Sequence, residues 1–310
     1  MSSPGSVRLG RIWSVPVFIR PGALFMGVLL VILFAPRLST AGYGSPWLVA
    51  ACGVVSLYAS VLVHEIAHVA AARADHRLVQ SVTLHLLGGE TLIASESRSA
   101  REEFVSSASG PLASLALALA GMLAAAALGN GHPAKVAGAL GTINLLVAAV
   151  NVLPALPLDG GRMVRAAGWA LTGNERIGVV IAGRFGQLAA AASFVVGVWL
   201  CTRGGRTGWL DFLLCALVGV FMWRGSSQSL RLAHRARRIE NLRVSRLVDS
   251  SVPEADCPRL PLSLHGGDLL RAMTHAPADV YAVVDDETGE VVGSLRTRTV
   301  NRAYRTGVRR

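Results

Sequence analysis

The sequence predicts a mainly α-helical, polytopic membrane bundle of about six transmembrane helices, with a membrane-side β-hairpin and a small C-terminal α+β appendage. Three observations carry this prediction. Of the 310 residues, 52% are hydrophobic and 16% are charged, whereas about 45–50% of residues are apolar in soluble domains even when glycine is counted. The apolar residues are concentrated in six runs. After Trp223 the composition becomes basic and polar.

Each of the six apolar runs predicts a membrane-spanning helix, because crossing a bilayer takes about 20 apolar residues, with a range of roughly 17–25. The first run ends at Pro36 and the last contains Asp211, so both need flanking residues to reach this length. The runs are Gly22–Ala35, Trp47–Val63, Val105–Leu128, Val136–Leu153, Ile177–Cys201 and Trp209–Trp223.

The net charge of +11 comes from basic residues that lie between the apolar runs and in the C-terminal tail. This distribution is typical of cytoplasmic loops and argues against a nucleic-acid partner. Six spans place both termini on one side of the membrane. That side receives ten basic loop residues, namely Arg8, Arg11, Arg20, Arg73, Arg77, Arg98, Arg101, Arg162, Arg165 and Arg176, against Arg37, Lys135, Arg203 and Arg206 on the other. The positive-inside rule therefore predicts cytoplasmic termini.

Two regions outside the spans have patterns of their own. Residues 78–97, LVQSVTLHLLGGETLIASES, alternate apolar and polar side chains on either side of Gly88-Gly89, which predicts a β-hairpin beside the membrane. Residues 224–246 are a basic, partly helical linker. Residues 247–310 contain a short helical segment, GDLLRAM, and two strand patterns around an Asp-Glu-Thr-Gly turn, which predict the small α+β region.

The second apolar run ends in His64-Glu65-Ile66-Ala67-His68. Two histidines four residues apart lie on one face of a helix, so both imidazoles can bind one zinc ion, and the intervening Glu65 can act as general base on a water molecule. With eight histidines in the chain, composition alone gives about 0.007 chance matches to this pattern. Ionisable groups are also rare inside membrane segments and usually functional.

A catalytic zinc ion usually has three protein ligands and one open position. The motif supplies two, and Asp159, in the segment NVLPALPLDGGR at the cytoplasmic end of the fourth run, is the candidate for the third. Irregular backbone at membrane depth is tolerated where it lines a protein cavity. Taken alone, Asp159 also fits the N-cap of a following helix.

The chain resembles the site-2 protease family of intramembrane zinc metalloproteases. The matching segments are HEIAH at 64–68, SGPLASL at 109–115 and NVLPALPLDGGR at 151–162. The topology is similar to that of the bacterial six-span group with a C-terminal CBS region. The resemblance divides the chain into a transmembrane metalloprotease domain, residues 1–223, the linker, 224–246, and a single CBS-like cytoplasmic region, 247–310.

The resemblance implies a role for each matching residue. One Zn²⁺ per chain would be held by His64, His68 and Asp159, with Glu65 as the catalytic residue that activates water. Asn151 matches the asparagine of the motif, to which the resemblance assigns the holding of the substrate carbonyl or its oxyanion. The hairpin containing Gly88 and Gly89 resembles the strand that pairs with an extended substrate in the family.

Two departures from the family pattern stand out. Ser114 occupies the position where many members have Asn in the G-P-x-x-N element, and Glu90 follows the glycine pair, where the family is less polar.

The CBS-like region matches one repeat, and Thr297-Arg298-Thr299-Val300 lacks the acid that contacts ribose in such repeats. This favours docking or homodimerisation through the C-terminal region over nucleotide binding.

The function expected is cleavage of a transmembrane segment of a membrane-anchored protein in regulated intramembrane proteolysis, in a bacterial cell membrane. The resemblance suggests a single-pass substrate, such as an anti-sigma factor or a transcription-factor precursor, and the lipid bilayer as the surrounding medium. The alternative is a zinc-binding membrane scaffold or transporter without proteolysis. Retention of Glu65 favours the enzyme, because zinc binding alone needs only the ligands.

Overall fold

A computed structural model describes residues 5–38, 45–85, 88–203, 208–251 and 257–306. The chain forms two compact units, Met1–Ser229 and Leu230–Arg310. The elements that begin in the first unit are β1 (Val7–Ile12), β2 (Val15–Ile19), α1 (Pro21–Leu38), α2 (Pro46–Ala74), β3 (Val79–His85), β4 (Gly88–Ile93), α3 (Ala100–Leu128), α4 (His132–Val152), α5 (Asp159–Thr172), α6 (Glu175–Arg203) and α7 (Gly208–Glu240).

Five helices among the described residues, α2, α3, α4, α6 and α7, are long and apolar enough to cross a membrane. They correspond to the second to sixth predicted runs. The first run lies in α1, whose apolar part, Pro21–Pro36, is shorter, so five rather than six helices meet the length criterion. Large apolar side chains such as Leu123, Leu188 and Val195 are 61–69% exposed, as expected for helix faces that contact lipid. The chain is a multi-pass membrane protein.

A four-stranded sheet, ordered β1-β2-β3-β4, accompanies these helices. Strands β3 and β4 pair antiparallel, which confirms the predicted hairpin, although Gly88 and Gly89 begin β4 instead of forming the turn. The connecting residues 86–87 lie outside the described part of the chain. Buried Val82 and Leu84 face the same side of the sheet as Val15 and Val17, and this side packs on α2 at Val69 and Val61. In this strand order β4 is an edge strand, and it contacts α2.

The hairpin of β1 and β2 is not predicted by the sequence. Its two-residue turn, Trp13-Ser14, has positive φ angles of 48° and 67°. Such turns usually contain Asn-Gly or Asp-Gly, which tolerate this conformation, so the common sequence signal for a hairpin is missing here.

The second unit contains the end of α7, followed by α8 (Val244–Leu247), β5 (Arg259–Pro261), α9 (Gly266–His275), β6 (Val280–Val284), β7 (Val291–Arg296) and α10 (Thr297–Thr306). The three strands form a sheet of order β5-β6-β7. The predicted short helix and two strands are α9, β6 and β7. The core of the second unit includes Tyr281 and Leu295, together with Leu242 and Val244 from the stretch that the sequence assigns to the linker.

Candidate active site

The H-E-x-x-H motif lies in the C-terminal half of α2, which continues for six residues beyond His68. His64, Glu65 and His68 are buried, with 3–5% of their surface exposed. The helical spacing of four residues places the two imidazoles next to each other, with ring centroids 4.9 Å apart. The motif therefore forms one cluster inside the helical unit.

Asp159 is the first residue of α5, and Leu158, not Asp159, occupies the N-cap position. After α4 ends at Val152, the chain turns back through an irregular segment to reach this point. The glycines that follow Asp159 permit this close turn, because a Cβ atom would lie 2.1 Å from the Val152 carbonyl oxygen at Gly160 and 2.4 Å from the Ala155 carbonyl carbon at Gly161. The turn brings the Asp159 carboxylate to α2.

The two histidines and Asp159 converge on one point. The Oδ2 atom of Asp159 lies 3.0 Å from Nε2 of His64 and 3.1 Å from Nε2 of His68. One ligand atom from each residue lies within 4.8 Å of the others. Ligands bound tetrahedrally to zinc at 2.0–2.2 Å are about 3.3 Å apart, so the donor set and its spacing fit such an ion.

The charge state of Asp159 also suits a metal ligand. Burial raises the pKa of this carboxyl, but hydrogen bonds from the two imidazoles outweigh that effect and hold the pKa well below its usual range. Asp159 is consequently a carboxylate, the form that binds metal ions.

Helix α3 forms the wall of the site behind both imidazoles. Nδ1 of His64 lies 3.0 Å from Oγ of Ser114, and Nδ1 of His68 lies 2.7 Å from the Ser106 carbonyl oxygen. Between these two residues, a Cβ atom on Gly110 would lie 2.5 Å from Nε2 of His64 and 2.4 Å from Nε2 of His68. With each Nδ1 engaged by α3, each Nε2 is directed towards the space beside Gly110 and Asp159.

The Glu65 side chain points towards β4. The Thr91 hydroxyl donates a 2.5 Å hydrogen bond to Oε2 of Glu65. A Cβ atom on Gly89 would lie 2.4 Å from Cγ and 2.6 Å from Oε1 of Glu65. The glutamate side chain therefore lies directly against the edge strand, with Oε2 held by Thr91 and Oε1 beside the Gly89 backbone.

A second polar layer supports Asp159. Glu103 of α3 is 3% exposed and accepts a hydrogen bond from the Ser97 hydroxyl at 2.6 Å and one from Nε of Arg162 at 3.1 Å. Nη1 of Arg162 is 3.9 Å from Oδ1 of Asp159, the oxygen that does not face the histidines. This layer ties the start of α5 to α3.

Of the residues singled out from the sequence, Asn151 is not brought to this cluster by any hydrogen bond within the described residues. Its amide Nδ2 donates to the Val147 carbonyl of its own helix at 2.9 Å. Gly89 contacts Glu65, whereas its neighbour Gly88 shows no such contact.

Sequence reasoning noted Ser114 as a departure from the family pattern but assigned no role to Ser106, Gly110, Ser114 or Thr91. The first three are spaced four residues apart and so share one face of α3, which is a signal that the sequence contains. Thr91 follows Gly89 by two residues and therefore lies on the same face of β4. That signal becomes useful only once Gly89 is known to face Glu65.

Comparisons with known proteins agree with this geometry. The family model described as "Peptidase family M50" matches residues 124–199, a range that includes Asp159. "Putative zinc metalloprotease sll0528" of Synechocystis sp. is 29% identical over 272 residues, which cover 84% of this chain and 68% of the relative. "Putative zinc metalloprotease Rip3" of Mycobacterium tuberculosis is 41% identical over 173 residues, which cover 54% of this chain and 44% of that relative.

The solved structure titled "Site-2 Protease from Methanocaldococcus jannaschii" superposes with a TM-score of 0.52 and 22% identity, covering 72% of this chain and 94% of that one. At this identity the match shows the fold. Residues 124–199 thus match peptidase family M50, and the chain has the fold of a site-2 protease. The aligned regions correspond to 68% and 44% of the lengths of the two relatives above.

Proposed function

We propose that the protein is an intramembrane zinc metalloprotease that cleaves a transmembrane segment of a membrane-anchored protein. The observation that carries the proposal is the convergence of His64, His68 and Asp159 on one point, with Glu65 beside them, in a unit built from membrane-spanning helices. The match of residues 124–199 to peptidase family M50 and the zinc metalloprotease names of the relatives support the same activity.

In this proposal, one zinc ion is held by Nε2 of His64, Nε2 of His68 and a carboxylate oxygen of Asp159. When bound there, such an ion would supply Lewis-acid activation of the scissile carbonyl and of the attacking water. Glu65 accepts a proton from the attacking water and passes it to the leaving amine. Its Oε1 is suited to this transfer because Thr91 occupies Oε2.

Peptide bonds of a helical substrate are shielded by their own hydrogen bonds, so the substrate must unwind locally before cleavage. The outer edge of β4 offers backbone groups to such an extended segment. The lack of a side chain at Gly89 lets the segment approach Glu65 closely. Asn151 is proposed to hold the substrate carbonyl or its oxyanion, which requires its side chain to leave the bond to Val147.

The proposal extends to location and partners. Both termini are proposed to lie in the cytoplasm of a bacterial cell, which the distribution of basic residues supports, with water reaching the site from that side. The substrate class is a single-pass signalling protein, such as an anti-sigma factor or a transcription-factor precursor, trimmed in regulated proteolysis. The C-terminal CBS-like region is proposed to dock or homodimerise.

The decisive experiment replaces Glu65 with Gln in the full chain and compares its membranes with those of cells that make the unaltered protein. Glutamine cannot accept the proton, so we expect retained zinc, measured by metal analysis of purified protein, and loss of cleavage of roughly 10²–10⁴-fold. Proteomics should find full-length, single-pass proteins bound to E65Q that appear as shortened fragments with the unaltered enzyme.

Three outcomes separate the alternatives. Zinc binding without any membrane protein processed by the unaltered chain would indicate a non-proteolytic scaffold or transporter. Processing that survives E65Q would exclude Glu65 as the base. Loss of zinc in H64Q and D159N, with zinc retained in E65Q, is the pattern expected for the proposed ligand set.

A further inference from the structure

We propose that Ser114 is the positioning residue of the metal ligand His64, and that its hydroxyl serves the imidazole in both the metal-free and the metal-bound protein. The inference rests on the proposed function only in that His64 binds zinc. Ser114 belongs to α3, the helix that supplies no metal ligand in the proposed set.

The contact itself is direct and buried. Ser114 is fully buried, and its Oγ lies 3.0 Å from Nδ1 of His64. Within the described residues, it is the one hydrogen-bond partner of that ring nitrogen. The other ring nitrogen, Nε2, lies 3.0 Å from Oδ2 of Asp159.

The partners of the two His64 ring nitrogens determine which nitrogen carries the proton. A carboxylate only accepts hydrogen bonds, so in the arrangement with Nε2 facing Asp159 a neutral His64 ring carries its proton on Nε2. Nδ1 is then an acceptor, and the Ser114 hydroxyl donates to it. When Nε2 binds a metal ion, the ring proton must be on Nδ1, which now donates to Ser114 Oγ. A hydroxyl meets both demands by rotating its hydrogen, with no movement of heavier atoms.

His68 is oriented by a backbone group and not by a side chain. Its Nδ1 faces the carbonyl oxygen of Ser106 at 2.7 Å, and a carbonyl can only accept. The Ser106 carbonyl therefore fixes a proton on Nδ1 of His68, while the proton on Nε2, which faces Oδ2 of Asp159 at 3.1 Å, leaves when the metal binds. Because this partner is backbone, no side-chain substitution removes it, whereas the orientation of His64 depends on one side chain.

Replacing Ser114 with Ala should weaken zinc binding. The metal-bound ring would have a buried N–H without a partner, and loss of such outer-shell partners typically lowers metal affinity 10–100-fold. Ser114→Thr retains the hydroxyl and should restore the affinity to within about threefold of the unaltered protein.

Ser107 provides a matched control. It is also fully buried on α3, but its Oγ donates to the Glu103 carbonyl of the same helix at 2.7 Å. Ser107→Ala therefore removes an equivalent buried hydroxyl without touching either imidazole, and zinc affinity should stay within about threefold of the original.

The experiment uses the full chain purified in detergent, with zinc affinity measured by competition against a chromophoric chelator. Thermal unfolding is recorded without metal and with added zinc. A positioning role predicts that S114A keeps the metal-free transition of S107A but gains less stability from zinc, since stabilisation by a ligand follows its affinity. Equal zinc affinity in S114A and S107A, or failure of S114T to restore it, would overturn the inference. No zinc binding by the unaltered chain would instead overturn the proposed function.

A second measurement needs no substitution at Ser114 and decides the matter even where S114A does not fold. Imidazole ¹⁵N spectra of the unaltered protein report which ring nitrogen carries the proton. On addition of zinc, the His64 proton should move from Nε2 to Nδ1, while His68 keeps the proton on Nδ1 and loses the one on Nε2. A His64 ring with the same protonated nitrogen in both states contradicts the proposal.

Discussion

The Thr91 hydroxyl links the edge strand β4 to the proposed general base, Glu65. It donates to Oε2 of Glu65 and fixes the plane of the carboxylate, leaving Oε1 beside Gly89. A base that is free to rotate spends less time in the geometry needed for proton transfer. The strand proposed to pair with the substrate thus also orients the proposed general base.

Replacing Thr91 with Val, which has nearly the same shape, should lower kcat by roughly 10-fold, a part of the 10²–10⁴ that a positioned base contributes. KM and zinc content should change little, because neither the edge of β4 nor the ligands are altered. The measurement is the cleavage rate of a substrate captured with E65Q. Thr91→Ser retains the hydroxyl and should recover most of the rate, whereas an equal loss in both variants would point to packing as the cause.

At this scale, the sequence alone predicts the residues whose spacing is itself chemical. His64, Glu65 and His68 follow from helical periodicity, and Asp159 follows from the need for a third ligand. Ser114 and Thr91 act across elements 50 and 26 residues away in the chain. Their partners are set by how α3 and β4 pack on α2, which no local pattern encodes.

At the scale of elements, the close approach of α3 to α2 depends on Gly110. The Cβ atom that any other residue adds would lie within 2.5 Å of both Nε2 atoms, a separation too short for non-bonded atoms. Gly110→Ala must therefore displace α3 or the imidazoles. The methyl group would also occupy the space next to the proposed metal ligands.

We expect G110A to reduce bound zinc by at least about tenfold under limiting metal, because ligand geometry in zinc sites tolerates only about 0.2 Å. Metal analysis of purified protein tests this. Gly53→Ala on α2 is the control, since a Cβ there has no neighbour within 4 Å and alanine favours a helix. Full zinc occupancy in G110A would show that the α3 backbone can move away from the site.

The helices and the β3–β4 hairpin could be predicted because hydrophobic run length and alternation encode them directly. Helix α5 has a weak sequence signal, since two glycines follow Asp159 in DGGRMVRAAGWALT and lower its helix propensity. Those glycines are instead required by the 2.1 Å and 2.4 Å approaches described above. The local preference of the chain is thus overridden by the turn that delivers Asp159.

At the scale of the whole molecule, the two compact units differ in how they bury apolar surface. In the first unit, many large apolar side chains of the spanning helices are exposed, in keeping with a lipid environment. The second unit encloses its own core, in which Leu269, Tyr281 and Leu295 are 0–1% exposed. A unit with its own core and few exposed apolar residues has the properties of a soluble domain.

The segment Leu230–Arg310, expressed alone, should therefore be soluble and unfold cooperatively. Leu269→Ala should lower its free energy of unfolding by about 3 kcal/mol, as is usual when a fully buried leucine is truncated. Leu232→Ala is the matched control, because Leu232 is 55% exposed and such surface changes usually stay within about 0.5 kcal/mol. Urea denaturation followed by circular dichroism measures both values. A segment without a cooperative transition, or equal effects of the two substitutions, would mean that the core of this unit forms only when it is joined to the membrane helices.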